Sequence, residues 1–420
     1  MIQVTRPLHK KDRSFFMKHD KSLKITTFLE KTLLDLFEIE KPIKSKSKKI
    51  KRIAEEVRTL SDEYVFSNNK NRTDDSIISR LIKTYAVYFM PANLVKLYPV
   101  LDEMRRDENC AHFKKKSLSI LDLGCGPGTF TVGFLEYLSE KCLPDSLDLE
   151  SVELNCMDRS KENLSLAQNI IKEYLAHGPL SKKIRWKTSF VKGTITASNS
   201  LQTLFSEKTR FDIIIAGNVI TELQDENIKP FISFLEKHLS PDGTAIIIDP
   251  GTKISSKHLL FMRDKLLSET GLNLYAPCPN TDTCPLTDNS KNWCHEKVFW
   301  EPPEIVSMID RITGFSKEKG LKYSYLIFNK RNIHLSGIFQ EISQGKVFRV
   351  VSYLIKNKGE ERLYVCNGRD RMLLRRLSKN CSEKNIGFGN VLRGNCVFFD
   401  NLKSRKDFME ITKESIFKIL

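Results

Sequence analysis

Apolar residues recur three or four positions apart between residues 22 and 110, which predicts amphipathic helices. The clearest apolar face comprises Ile25, Phe28, Leu29, Leu33, Leu36 and Phe37. A second helical pattern begins at Ile53, and Pro91 is expected to break or begin a helix. We therefore predict a helical N-terminal domain over residues 1–115.

From Ser117 the pattern changes, and short apolar runs alternate with helical segments. The predicted strands are residues 118–123, 151–157, 211–216, 243–249 and 323–328. The predicted helices include one that ends at residue 138 and two that span 161–174 and 230–239. Because this alternation is typical of βαβ units, it predicts an α/β fold with a parallel, doubly wound sheet over residues 116–335.

After residue 335 the pattern changes again, to short strand-like segments separated by polar turns. These segments are residues 347–354, 361–366 and 395–399. They predict a small β-rich C-terminal domain over residues 336–420, with a barrel-like arrangement of its strands.

The chain of 420 residues carries 68 Lys and Arg against 52 Asp and Glu, a net charge of +16. The cations also cluster, because residues 41–52 hold seven without an acid and residues 369–379 hold five against Asp370 alone. Such an excess favours a polyanionic partner, since neutralising phosphates releases counterions, and RNA is the partner we expect. The alternative is that the cations only form a solvated surface.

Nothing in the sequence predicts insertion into a membrane or export. No segment approaches the roughly 20 apolar residues that span a bilayer. The N-terminal segment lacks the apolar core of a signal peptide, and Asp12 and Asp20 argue against a transit peptide. With ten cysteines and no export signal, we expect reduced thiols in a bacterial-type cytoplasm, or in the mitochondrial matrix if the source is eukaryotic. We also expect a monomer with no membrane contact.

A glycine-rich segment, Asp-Leu-Gly-Cys-Gly-Pro-Gly-Thr, covers residues 122–129. It follows a predicted strand and opens a predicted helix, as a nucleotide-cofactor loop must. This sequence motif resembles the first motif of class I S-adenosylmethionine (SAM) methyltransferases, rather than the dinucleotide-binding fingerprint. The resemblance implies SAM as the cofactor, whereas the alternative is that these glycines only shape a turn.

Two polar residues follow later strands of the same predicted sheet. Asp158 stands where an acidic residue would hold the ribose hydroxyls, although a simple acid at a helix N-terminus is an equal alternative. Asn218 follows the strand at residues 211–216, where class I enzymes line the cleft for cofactor and substrate. The candidate cofactor residues are Asp122, Gly124, Gly126, Gly128, Asp158 and Asn218.

The sequence does not identify a catalytic residue. Amino-group methyltransferases of nucleic acids place a Pro-Pro-aromatic motif after this strand, but the chain has Gly217-Asn-Val-Ile-Thr there. Cytosine-5 enzymes use a Pro-Cys nucleophile, and Pro277-Cys278 resembles it but lies one strand too late. Methyl transfer is therefore left open, and the catalytic residues are unknown.

Three cysteines stand close together in an insertion at residues 276–296. Cys278, Cys284 and Cys294 have the spacing C-x5-C-x9-C, and a proline follows each of the first two. Such a thiol-rich loop suits a metal or an iron–sulfur cluster better than packing. A fourth ligand is needed, for which His295 and Cys366 are the candidates, and zinc remains an alternative to iron–sulfur.

The order of several motifs resembles one known family. The motifs are residues 85–92, 122–128, Asp-Pro-Gly-Thr at 249–252, the cysteine loop and Tyr-Ser-Tyr-Leu at 323–326. The family is the methyltransferase-like assembly factors of the mitochondrial ribosomal small subunit, with their bacterial relatives. Two departures are that Asp249 replaces the family's usual Glu and that Asn280 stands where His is common.

The resemblance implies binding to small-subunit rRNA in a ribosomal small-subunit precursor, SAM in a class I fold, and a [4Fe–4S] cluster. The implied cluster ligands are Cys278, Cys284, Cys294 and Cys366. We expect an assembly factor with weak or absent catalysis, and the alternative is an active SAM-dependent rRNA methyltransferase. A radical enzyme is less favoured because the C-x3-C-x2-C loop typical of such chemistry is absent from the sequence.

Overall fold

The computed structural model describes residues 22–44, 47–67, 77, 80–106, 111–141, 148–180, 183–195, 204–287, 291–315, 320–339, 342 and 346–420. The N-terminal segment with Asp12 and Asp20, on which the expectation about a transit peptide depends, lies outside these residues. In the described part of the chain, no helix is long and apolar enough to cross a lipid bilayer.

Within the described residues, four α-helices precede the first strand of the main sheet. They are α1 Thr27–Asp35, α2 Lys48–Ser67, α3 Ile82–Leu94 and α4 Leu97–Arg105. The apolar face predicted for the first of them is buried, as Leu29 and Leu33 show. Pro91 neither begins nor ends a helix, so that expectation was wrong. It lies in the last turn of α3, where a missing N–H and a kink disturb few of the following residues.

The main sheet holds the predicted strands and three that the sequence pattern did not indicate. Its strands are β1 Ser117–Leu123, β2 Ser151–Asp158, β3 Arg185–Lys192, β4 Phe211–Gly217, β5 Leu239–Pro250, β6 Asn273–Ala276, β7 Glu296–Phe299 and β8 Gly320–Asn329. β3, β6 and β7 were missed because they are short or only half-buried, which leaves no apolar run to detect.

In the part of the chain that the structure describes, five α-helices follow β1 and pack on this sheet or connect its strands. They are α5 Thr129–Lys141, α6 Lys161–His177, α7 Asp225–His238, α8 Lys253–Glu269 and α9 Glu304–Thr313. The helix predicted from residue 230 begins earlier, because Asp225 and Glu226 lie in its first turn, where acidic side chains are favourable. Pro230 is inside it.

The strand order is β3-β2-β1-β4-β5-β8-β6, with β7 also pairing with β8. Strands β1 to β5 pair in parallel, whereas β8 is antiparallel to β5 and β6. The prediction of a parallel sheet therefore holds for β1 to β5 but not for β8, which follows α9 and runs antiparallel between β5 and β6. A doubly wound sheet with this one reversed strand is the class I methyltransferase fold, so the predicted fold class is confirmed.

A second sheet forms the C-terminal part of the chain. Its strands are β9 Val347–Val350, β10 Ile355–Asn357, β11 Glu360–Cys366, β12 Arg371–Leu377, β13 Cys396–Asp400, β14 Lys403–Ser404, β15 Met409–Ile411 and β16 Ile416–Ile419. Their order runs from β14 through β15, β12, β11, β9 and β13 to β16. Among the described residues the two end strands do not pair, so the sheet is open rather than barrel-like.

Arg349 of β9 joins the second sheet to the rest of the molecule. It is 6% exposed, and its guanidinium lies 2.9 Å from Glu103 of α4 and 3.2 Å from Glu296 of β7. Tyr325 of β8 also donates a hydrogen bond of 3.1 Å to Glu103. Burial opposes the ionisation of Glu103, but Arg349 and Arg106 outweigh it and hold the pKa of this carboxyl below its ordinary value. The charges are therefore mutually compensated.

Replacing Arg349 with Met removes the buried cation that Glu103 and Glu296 share, and leaves Glu103 with Arg106 and Glu296 with Arg393. Because breaking a buried ion pair from one side costs about 3–5 kcal/mol, the free energy of unfolding should fall by that amount in a denaturant titration. The control is Lys384→Met, which removes an exposed pair with Glu414 and should cost less than about 1 kcal/mol. Equal losses in the two variants would contradict the assignment.

Candidate functional site

The glycine-rich segment forms a tight turn at the carboxyl end of β1. Gly124 has a φ of 70° and Gly126 a φ of 56°, in the left-handed region that favours glycine. A Cβ at Gly124 would lie 2.5 Å from Cγ1 of Val219, so this position is closely packed. A Cβ at Gly126 would meet nothing within 4 Å. The backbone at Gly126 therefore faces open space above the edge of the sheet.

Asp158, at the end of β2, holds this turn against the start of α6. One carboxylate oxygen accepts a hydrogen bond of 2.9 Å from the backbone N–H of Gly126. The other accepts from the N–H of Ser160 at 2.9 Å and from the side chain of Asn163 at 3.0 Å. Burial raises the pKa of Asp158, although these bonds oppose the rise. The contacts match the helix N-terminal alternative, and a role in holding ribose stays a prediction.

Asp122 points away from the open space. Its Oδ2 accepts hydrogen bonds from the backbone N–H of Thr131 at 2.9 Å and from the Thr131 hydroxyl at 2.7 Å. Burial raises the pKa of Asp122 to about 7, with the bonds from Thr131 opposing the rise. The side chain thus fixes the first turn of α5, and a direct contact with a cofactor stays a prediction.

Asn218 and Tyr85 line the same edge of the sheet. Asn218 follows β4 with a φ of 59°, and its N–H donates to the carbonyl of Ile248 at 2.8 Å. Tyr85 of α3 is half-buried and lies within hydrogen-bonding reach of Asn218. Burial raises the pKa of its hydroxyl, while hydrogen bonding with Asn93, Thr129 and Asn218 opposes the rise. From the sequence, Tyr85 was noted only as part of a family motif, and its contact with Asn218 was not predicted.

Two further ionisable groups of this region were not identified as site residues from the sequence. Lys96 is 9% exposed and donates a hydrogen bond of 2.7 Å to Asn93. Burial lowers its pKa to about 8, with Asp249 opposing the shift. Asp249, at the end of β5, is 1% exposed, and burial raises its pKa to about 7. Among the described residues neither of its oxygens has a well-aligned hydrogen bond, although backbone N–H groups at 219–221 lie nearby.

The cysteine loop lies on the far side of β5, between β6 and β7. Cys278, Cys284 and Cys294 line one cavity of about 40 Å³. The pKa of Cys284 is above its ordinary value, mainly because the thiol is buried and to a smaller extent because Cys278 is close. Within the described residues, no group of three or more His, Cys, Asp or Glu side chains is arranged to hold a metal ion. The structure thus brings the three thiols together without a formed coordination shell.

Cys366 reaches this loop from the second sheet. Burial raises its pKa to about 12, and Cys278 and Cys284 are close enough to add to the rise. The turn after Cys366 packs on the loop, since a Cβ at Gly368 would lie 2.5 Å from the carbonyl oxygen of Asn280. Cys366 lies far from the loop along the chain, but it was one of two candidate fourth ligands from the sequence and the one that the family resemblance implied.

His295, the other candidate ligand, also lines the cavity. Its Nδ1 lies 3.2 Å from the carbonyl oxygen of Trp293, and the two rings are 5.7 Å apart. Burial, assisted by Arg393, lowers the pKa of His295 to about 4. Both candidate fourth ligands therefore lie near the three thiols, and the choice between them stays a prediction.

A buried guanidinium accompanies the thiols. Arg263 of α8 is 2% exposed, lines the same cavity, and donates a hydrogen bond of 2.7 Å to the carbonyl of Asp282 within the loop. Its charge opposes the rise in the pKa of Cys284. No sequence pattern indicated this residue, since an arginine in a helix is ordinarily exposed.

Comparison with known proteins identifies the family. The family described as mitochondrial small ribosomal subunit Rsm22 matches residues 80–386, which is more than half of the chain. The chain belongs to the Rsm22 family. This confirms the sequence resemblance, and the matched residues include the glycine turn, the cysteine loop and Cys366.

One curated relative of this Rsm22-family chain is an uncharacterized methyltransferase of Schizosaccharomyces pombe. The two are 33% identical over 126 residues, which is 29% of this chain and 38% of that protein. The chain thus aligns with well under two thirds of the length of this relative.

Solved methyltransferase structures are distant neighbours. Magnesium protoporphyrin IX methyltransferase from Synechocystis PCC 6803 is 13% identical with a TM-score of 0.34, over 65% of this chain and 94% of that one. A plantazolicin methyltransferase is 16% identical with a TM-score of 0.31, over 67% of this chain and 100% of that one. Because both scores are low, the fold assignment of the Rsm22-family chain rests on its strand order.

Gly368→Ala should loosen the contact between Cys366 and the cysteine loop. Gly368 has a φ of 98°, and the added Cβ would collide with the carbonyl of Asn280. The control is Gly359→Ala, where φ is 81° and a Cβ meets nothing within 4 Å. Both variants carry a backbone cost of about 1 kcal/mol, and only Gly368→Ala adds the collision. We expect a larger loss of unfolding free energy and faster alkylation of Cys366 in Gly368→Ala; equal behaviour would contradict this.

Proposed function

We propose that this Rsm22-family protein binds SAM and assists assembly of the mitochondrial ribosomal small subunit by binding its rRNA in the mitochondrial matrix. The family match over residues 80–386 supports the ribosomal partner. The net charge of +16 supports RNA as the bound component, because phosphate neutralisation drives such binding. A monomer is expected to act on the precursor particle.

The observation that carries the SAM proposal is the open left-handed turn at Gly126. A ligand can approach this backbone closely because a Cβ there would meet nothing within 4 Å. The N–H of Gly126 and the buried carboxylate of Asp158 stand together at 2.9 Å, so ribose hydroxyls would compete for the same groups. Asp122, Gly124, Gly128 and Asn218 complete the proposed set. When bound, SAM supplies an electrophilic methyl group.

We further propose a [4Fe–4S] cluster held by Cys278, Cys284, Cys294 and Cys366. Four thiols without a carboxylate are a soft donor set, which suits iron–sulfur or zinc. Arg263 lines the same cavity as the thiols, where its positive charge would stabilise thiolates in addition to its ion pair with Asp264. The family resemblance favours the cluster over zinc. The cluster would join the second sheet to the cysteine loop.

A second candidate function is methyl transfer to rRNA, and the buried pair Lys96 and Asp249 favours it. Burial brings the pKa of Lys96 down to about 8 and the pKa of Asp249 up to about 7. Groups that titrate near neutral pH in a cleft are suited to accept or donate a proton. The ionised carboxylate of Asp249 would accept the proton that a nucleotide acceptor loses on methylation, because Lys96, with a pKa of about 8, is mostly protonated at neutral pH.

Gly126→Arg should abolish SAM binding while leaving the fold intact, since the open space accommodates a long side chain. The control is Gly126→Ala, which carries the same backbone cost at a φ of 56° without the bulk. By calorimetry we expect Gly126→Arg to weaken binding by more than about 100-fold, and Gly126→Ala by less than about tenfold. Equal affinities in all three proteins, or no SAM binding by the wild type, would contradict the proposal.

The same proteins separate the two candidate functions when they are incubated with radiolabelled SAM and immature small subunits. Label fixed in rRNA by the wild type and lost in Gly126→Arg would establish methyl transfer. Stable binding of the wild type to the particles without label would assign it to assembly alone.

Protein purified without oxygen should contain iron and acid-labile sulfide in equal amounts and should lose its brown colour in air. Cys284→Ser should lower both contents, because it removes a buried ligand. Cys381→Ser is the matched control, since Cys381 is exposed and lies outside the proposed set. Colourless protein with one zinc per chain would overturn the cluster.

A further inference from the structure

One face of the second sheet carries three arginines and a tyrosine, with a single leucine among them. Leu363 and Val365 of β11 are fully buried, so Arg362 and Tyr364 between them lie on the opposite face. On β12, Leu374 is buried and pairs with Leu363. The alternate residues of β12, which are Arg371, Leu373 and Arg375, therefore lie on the same face as Arg362 and Tyr364. We call Arg362, Tyr364, Arg371, Leu373 and Arg375 the arginine face.

The arginine face begins where the second sheet meets the rest of the molecule. Cys366 is the next residue on the same side of β11, and it stands opposite Arg371 on β12 and Arg349 on β9. Arg349 and Cys366 are used internally, since Arg349 contacts Glu103 and Cys366 lies near Cys278. Beyond them the side chains of the face are half-exposed. The face therefore extends from the cysteine loop into solvent.

Two guanidinium groups of this region stack on aromatic rings. The guanidinium carbon of Arg371 lies 4.2 Å from the ring centre of Tyr364. That of Arg375 lies 5.1 Å from the ring centre of Phe408, which precedes β15. Such pairs hold planar groups in place at the surface of the sheet, and a planar base can stack on either member.

The charge around the face is positive. Residues 355–379 contain eight Lys and Arg against three Asp and Glu. The cation cluster at 369–379 is divided by the fold, because Arg376 turns inward to Glu361 and Asn385 while Arg371 stays on the face. Glu360 is shared by Arg362 and Arg375, so it neutralises only part of their charge.

We propose that the arginine face, with Phe408, binds single-stranded RNA, with bases stacked on the Tyr364 and Phe408 pairs and phosphates beside the arginines. The inference rests on the proposed RNA-binding function and names its surface and the form of RNA. A single strand is required because a duplex keeps its base faces stacked inside the helix, whereas aromatic and arginine planes need exposed bases. The excess of cations is complementary to phosphate rather than to a protein surface of mixed charge.

The test measures fluorescence anisotropy of a labelled mixed-sequence RNA of about 12 nucleotides, as a single strand and as a duplex. The full-length protein is compared with Tyr364→Leu, Arg371→Gln and the control Lys418→Gln. Lys418 is an exposed cation on β16, at the other end of the same sheet, so its variant removes one charge away from the face.

We expect the wild type to prefer the single strand and Tyr364→Leu to bind it about tenfold more weakly, with the salt dependence unchanged. Arg371→Gln should weaken binding and reduce the slope of log affinity against log salt by about 1. Lys418→Gln should bind like the wild type. Because Arg371 stands opposite Cys366, metal content and thermal unfolding are measured for each variant, and unchanged values separate lost RNA contacts from lost structure.

Single-strand affinities of Tyr364→Leu and Arg371→Gln equal to that of the wild type would overturn the inference and leave RNA binding elsewhere on the protein. Equal binding of duplex and single strand by the wild type would also overturn it. A wild-type protein that binds neither RNA at moderate salt would instead overturn the proposed function itself.

Discussion

Arg349 lies between Glu103 and Glu296, and the arrangement of the cysteines depends on this contact. Glu296 follows Cys294 by two residues in the sequence, and Arg349 stands opposite Cys366 in the second sheet. The ion pair of 3.2 Å between Arg349 and Glu296 therefore fixes Cys366 relative to the thiols of the cysteine loop. Buried ion pairs add little net stability over an apolar contact, but they tolerate few alternative arrangements. Here the contact provides orientation.

The glycine turn is organised differently, by backbone and carboxylates. Asp158 holds the N–H of Gly126, and Asp122 holds the first turn of α5, so the loop is fixed at both ends. These carboxyls are buried, and their raised pKa values show that the fold accepts an electrostatic cost to place them there. Such a cost is commonly found at functional sites, where rigid placement matters more than stability.

The two sites lie at neighbouring parts of one sheet. β5 ends near Asp249 in the cleft, while β6 and β7 flank the cysteine loop, and β8 pairs with all three. Ser324 of β8 lies opposite Asp249 of β5 and donates a hydrogen bond of 2.8 Å to the carbonyl of Cys294. The reversed strand therefore contacts both the end of β5 and the cysteine loop.

Sequence alone determined the elements whose signal is local. The apolar runs of β1, β2, β4 and β8 and the glycines at 124–128 were identified because hydrophobic period and turn residues act within a few positions. The hydrophobic pattern did not predict β3, β6 and β7, because these short or half-buried strands depend on neighbouring strands. It also did not predict that α3 continues through Pro91, which is buried in the helix. Only the tertiary structure decided that Arg263, Lys96 and Asp249 are buried ionisable groups and that Cys366 reaches the cysteine loop. Those facts depend on contacts between distant parts of the chain, which no local period encodes.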